Sequence, residues 1–108
     1  MSAAADIVAI VSAARVDEGF NARSSARKRH YLYRIVNRRA PLTLERDHAW
    51  LVKWQIDAGL MHEAAQVLVG HYDFTTFRSI NCQAKSPMKT LETLDVIQVA
   101  EEEIVVTA

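Results

Sequence analysis

The stretch from Phe20 to Arg39, FNARSSARKRHYLYRIVNRR, constrains the fold more than any other, because it carries seven of the thirteen Lys/Arg residues and no acid interrupts it. So many like charges cannot enter a core, so the segment must lie on a surface or at an edge. Its second half sets Tyr31, Tyr33, Ile35 and Val36 among the cations. Aromatic and β-branched residues in a short run predict a strand, here from near Arg23 to about Asn37. Such a strand, with rings and positive charge together, suits a phosphate-rich partner whose bases can stack. The plainer reading is a solvated charged face whose tyrosines only pack.

Charge segregation, not net charge, carries this argument. The formal net charge is zero, yet the basic stretch is set against an acidic C-terminal part with Glu92, Asp95, Glu101, Glu102 and Glu103. A hydrophobic fraction of 50% in 108 residues describes one globular domain or a piece of one. A compact chain of that size buries roughly two-thirds of its unfolded surface. One cysteine, Cys82, excludes an intrachain disulfide and suits a reducing compartment. No apolar run near Met1 is long enough to cross a membrane, so a soluble, cytoplasmic location is expected.

Elsewhere the pattern is uneven. Ile7 to Val16 fits a strand or one face of a helix, and periodicity does not choose between them. Asp17, Glu18 and Gly19 signal a turn. Arg38 to Asp47 reads as a loop or a single helical turn, and Ala49 to Trp54 as a short strand tucking its tryptophans against the body. The main helix is predicted from about Asp57 to Val69. Asp57 is its N-cap, Ile56 and Met61 form a staple, and Gly70 is the left-handed terminator. Leu60, Ala64 and Leu68, with Met61 and Ala65 beside them, make its apolar stripe. His71 to Pro87 reads as irregular. Thr90 to Ala100 alternates as a strand, with Leu94 and Val96 on one face and Leu91, Ile97 and Val99 on the other. Glu101 to Glu103 turn into a last strand, Ile104 to Thr107. Such a strand at the end of a chain would be an apolar unpaired edge, which points to a piece of a longer protein.

The candidate chemistry is sparse. His30, His48, His62 and His71 have no ligand spacing and Cys82 has no thiolate partner, so no metal is expected. Cys82, His71 and Asp73 make a conceivable nucleophilic set, but a lone thiol is more often a small buried apolar residue. Three isolated glycines make no phosphate loop. Arg78 beside Phe77, and Lys85 before Ser86 and Pro87, add cations near aromatic and small polar groups, and both clusters suit one cleft with the basic strand.

Three blocks then carry a family resemblance: FNARSSARKRHYLYRI (Phe20 to Ile35), AAQVLVGHYDFTTFRS (Ala64 to Ser79) and CQAKSPMKTL (Cys82 to Leu91). In order and spacing they resemble the middle of bacterial tRNA pseudouridine synthase A. The resemblance implies an α/β (α+β) fold on a mixed, largely antiparallel sheet, with helix on one side and an RNA cleft on the other. It implies isomerisation of uridine to pseudouridine in the tRNA anticodon stem-loop, a homodimer and no cofactor. Tyr31 matches the family's active-site tyrosine, and Arg23, Arg78 and Lys85 occupy motif positions near the cleft. The family's catalytic aspartate lies in an arginine-threonine-aspartate-alanine-glycine motif. None of Asp6, Asp17, Asp47, Asp57, Asp73 or Asp95 has that setting, so the nucleophile is expected upstream of Met1 and a further block after Ala108. The chain would then be a single partial domain over residues 1–108, inactive alone; the alternative is a noncatalytic RNA-binding or dimerising module. Ser24, where the family usually has phenylalanine, and Lys28, where glycine is common, depart from the pattern.

Overall fold

The computed structural model describes residues 8–80 and 86–108. Strands β1 (Leu32–Asn37), β2 (Trp50–Val52), β5 (Asp95–Ala100) and β6 (Glu103–Thr107) form one sheet in the order β2-β1-β6-β5. Helix α1 (Ala58–Ala65) and a 3-10 turn at Gln66–Leu68 follow β2, and strands β3 (Gly70–Asp73) and β4 (Met88–Leu91) pair as a separate two-stranded sheet. Only β1 and β2 run parallel; the other pairs are antiparallel. The chain is thus an α+β protein with a largely antiparallel main sheet, as the resemblance implied.

The register explains where the core lies. Ile35 faces Ile104 across β1 and β6, Val96 faces Val106 across β5 and β6, and Trp50 lies beside Ile35. Alternation therefore puts Tyr33, Ile35, Trp50, Val52, Val96, Ile104 and Val106 on one face. Ile104 is fully buried there, and Ile35, Val52, Val96 and Ala58 of the helix complete the core, with Ile56, Met61, Ala65 and Val106 packed around it. Leu32, Arg34, Val36 and Val105 point to the opposite face.

Asp57 caps α1 as expected: it has extended backbone, and its carboxylate accepts from the Leu60 amide at 3.1 Å. The buried stripe, however, is Ala58, Met61 and Ala65, whereas Leu60 is 63% exposed. The stripe is rotated because the polar partners lie on the same side. The Val96 amide donates to His62 Nδ1 at 3.1 Å and Gln66 Nε2 donates to the Leu94 carbonyl at 2.8 Å, which turns the helix toward β5. Gly70 does not terminate this helix. Gln66 is the C-cap, and Gly70, with φ of 139°, opens β3 where a Cβ would come within 2.7 Å of the Tyr72 ring.

Other expectations are corrected by the same topology. Residues 8–16 have no regular structure and are exposed, because no neighbouring strand or helix covers them. Trp50 and Trp54 are 68% and 81% exposed rather than tucked in; Trp50 starts the edge strand β2 and Trp54 lies beyond its end. The segment expected to be irregular contains β3 and a 3-10 turn at Thr75–Phe77, because β4 supplies the pairing that periodicity alone does not reveal. The single strand expected over Thr90 to Ala100 is two, β4 and β5, in different sheets. The final strand is present, but it lies between β1 and β5 and is paired on both sides; no open edge exists there. With that, the argument for a longer protein from an open edge loses its basis.

The whole chain exposes 9725 Å², against roughly 6,100 Å² for a compact monomer of this mass. On the same scale it buries only about 45% of its unfolded surface, well short of the expected two-thirds. Its radius of gyration, 18.0 Å, likewise exceeds the approximately 13 Å of a compact domain this long. Among the described residues, no helix is long and apolar enough to cross a membrane.

Candidate nucleic-acid interface

The strand predicted from Arg23 begins only at Leu32. Asn21 takes the earlier residues into a turn: its Oδ1 accepts from the Arg23 and Ser24 amides at 3.0 Å each, and its carbonyl accepts from Ser25. An asparagine that captures amides two and three residues ahead competes with any ladder. Residues 26–30 then run exposed and without regular structure up to the sheet.

Tyr31 joins the sheet by backbone alone. Its amide donates to the Ala108 carbonyl at 2.8 Å, and the Ala108 amide returns a bond at 3.0 Å. This reciprocal pair extends the β1–β6 ladder by one residue and fixes Tyr31 on the same face as Tyr33 and Ile35, the face that carries α1. The Tyr31 ring is 53% exposed. It therefore stands on the face of the sheet that carries α1.

A cleft of about 530 Å³ opens at this point, lined by Arg27, Lys28, Arg29, His30 and Tyr31 on one side and by Lys89 to Thr93 on the other. The β3–β4 pairing builds the second wall, setting Lys89 opposite Tyr72 and Thr90 opposite His71. His71 Nδ1 and Thr90 Oγ1 lie 2.7 Å apart. Lys28 Nζ reaches Glu92 at 3.0 Å and so joins the basic segment to the residue after β4. Both side chains of that pair are largely exposed, so the contact is weak and screened.

The positive charge is less free than the sequence suggests. Arg34, the cation within β1, lies on the opposite face and donates to Glu45 at 2.6 Å and Glu103 at 2.7 Å. Those hydrogen bonds, Glu45's first, raise the guanidinium further above its already high value, and the Arg34 bond holds the Glu45 carboxyl below the ordinary range. Arg38 approaches Glu102 at 3.6 Å. The β1–β6 pairing thus folds the acidic part directly onto the strand. The cations left to face the cleft come from the irregular approach, not from the strand.

Of the expected site residues, the structure places Tyr31 in the cleft. Arg23 lies in the Asn21 turn, and Arg78 follows the Thr75–Phe77 turn and is half-buried; neither lines the cleft. Lys85 lies outside the described residues, as does Cys82 of the proposed nucleophilic set. Asp73 is engaged elsewhere, accepting from the Thr75 amide at 2.9 Å and from the Thr75 hydroxyl. Those bonds, hydroxyl first, lower its carboxyl, with a smaller effect from the Arg78 charge. Tyr72, Phe74 and Phe77 stack edge-on and tilted, with centroids 6.1 and 6.4 Å apart, and brace this end of the hairpin. No group of three metal-ligating side chains occurs among the described residues. Lys89 was missed because a strand drawn from Thr90 leaves it outside, and only the β3–β4 register brings it to the cleft.

The chain is similar to known proteins over most of its length. The family described as tRNA pseudouridine synthase matches residues 64–108. The tRNA pseudouridine synthase A of Parvibaculum lavamentivorans is 63% identical over 95 residues, which is 88% of this chain and 39% of that protein. Those of Beijerinckia indica and Methylorubrum extorquens (strain PA1) are 62% and 59% identical over 88% and 92% of this chain, and 36% and 41% of their own lengths. Over most of its length the chain is thus similar to tRNA pseudouridine synthases. It spans about two-fifths of the length of the curated relatives it matches.

Proposed function

We propose that the chain is the base-holding and phosphate-holding part of a cytoplasmic enzyme that isomerises uridine to pseudouridine in the tRNA anticodon stem-loop. The observation that carries this reading is the half-exposed ring of Tyr31 in a cleft whose walls supply Arg27, Lys28, Arg29 and Lys89. A base within a paired stem hides its reacting atoms and must leave the stack, and an exposed aromatic ring beside cations can receive it while its phosphates are held. The reaction detaches uracil from its ribose, turns it and rejoins it through carbon, which requires a nucleophilic carboxylate. Glu92, the one side-chain carboxylate lining the cleft among the described residues, is engaged by Lys28. The cleft thus provides grip without a free nucleophile. Arg23, Arg78 and Lys85 act as further RNA contacts.

The purified chain should therefore bind an unmodified anticodon stem-loop RNA in a salt-sensitive way and form no pseudouridine in it. Pseudouridine formation by the chain alone would refute the division of labour, and a flat salt dependence would refute the RNA reading. A second reading, a noncatalytic or dimerising module, is favoured by one observation: the surplus of exposed surface includes an apolar groove lined by Tyr33, Trp50, Met61 and Val106. A chain that sediments as a monomer at high concentration would count against the dimerising form, which is also the form a homodimeric parent enzyme calls for.

A further inference from the structure

The geometry points to Lys89 as an RNA-phosphate contact across the cleft from Arg27 and Arg29, with Glu92 as a resident counter-charge that Lys28 must leave when RNA arrives. This inference rests on the RNA reading given above and adds to it the residues that set affinity.

Lys89 is exposed on β4, lines the same cleft as Tyr31, and makes no ion pair among the described residues. Arg27 and Arg29 share all three properties on the facing wall. A backbone phosphate entering beside the Tyr31 ring thus meets cations from two separate elements. Lys28 differs from them, because Glu92 already holds it at 3.0 Å. Glu92 is itself 60% exposed at the side chain, and its charge opposes an incoming phosphate. Binding therefore exchanges one weak exposed pair for a phosphate contact and leaves Glu92 in solvent. The carboxylate acts as a brake on affinity rather than a ligand.

The test is the salt dependence of binding of an unmodified anticodon stem-loop RNA to the 108-residue chain. Lys89→Ala should lower the logarithmic salt slope by about 0.7–0.9, the value of one phosphate contact, and Lys89→Arg should restore it. Glu92→Gln should tighten binding at low salt. Circular dichroism of each variant separates a lost contact from a lost fold, and the Arg variant does so independently. A steep wild-type slope left unchanged by Lys89→Ala overturns the inference while the RNA reading stands. Unchanged affinity in Glu92→Gln overturns the braking role. Absence of wild-type binding overturns the RNA reading and this inference together.

Discussion

The two ends of β1 are built on opposite terms. At Ile35 the strand is closed in by Ile104, Val52, Val96 and helix α1, and its side chain is 2% exposed. Four residues earlier, Tyr31 keeps only its two backbone bonds to Ala108, and its ring faces water. The comparison teaches that the sheet positions the cleft without sharing its core with it. Changes at the buried end should act on folding, and changes at the exposed end on ligand binding.

The strongest challenge to that division is Ile104→Ala. It removes the one fully buried large side chain among the described residues, between two strands that hold it from both sides, and should cost about 2–5 kcal/mol in denaturant unfolding. A midpoint unchanged from wild type would mean that the core lies elsewhere. Next in size is Tyr31→Ala, expected to weaken RNA binding by about 1–3 kcal/mol of stacking and to leave the unfolding midpoint near wild type. A large fall in stability with RNA affinity intact would reverse the assignment of the two ends. Asp57→Ala tests the helix that closes the buried end; loss of the bond to the Leu60 amide should cost about 1 kcal/mol. Equal helicity and stability in the variant would show that the cap contributes nothing.

The smallest effect is electrostatic. Arg34 holds the Glu45 carboxyl below its ordinary value, by its hydrogen bond first and its charge second. The folded state therefore takes up that proton less readily than the unfolded one. Its stabilisation is present above the ordinary glutamate range and is lost as pH falls through the lowered folded value. Melting temperature should decline on the acid side, and less so in Glu45→Gln; parallel curves for the two proteins would remove Arg34–Glu45 from the account.

How much of this was legible in the sequence follows from what each signal depends on. Local signals were readable: the Asp57 cap needs only its own turn, and Tyr33, Ile35 and Val36 mark a strand wherever it pairs. The last hairpin, β5 and β6, showed in its alternation and its glutamate turn. Pairing partners were not readable. Nothing near Ile104 says that its strand is inserted beside β1, and an apolar central strand looks like an apolar edge until its neighbours are known. The stripe on α1 was misplaced because His62 and Gln66, polar by type, face β5 through specific hydrogen bonds. In the cleft, Tyr31 was found through the family's motif. Lys89 needed the β3–β4 register, which brings it alongside without any local mark.

The central place of β6 also bears on how the molecule is made. Arg34 and Glu103, which bond across β1 and β6, are 69 residues apart in sequence. Closing so long a loop is entropically costly before any contact rewards it, and topologies of this kind fold slowly. On the ribosome, the short β2 is the first of the described strands able to pair with β1, and β6 follows only much later. During that interval the flank of β1 that β6 will occupy is unpaired, which leaves the newborn chain open to aggregation.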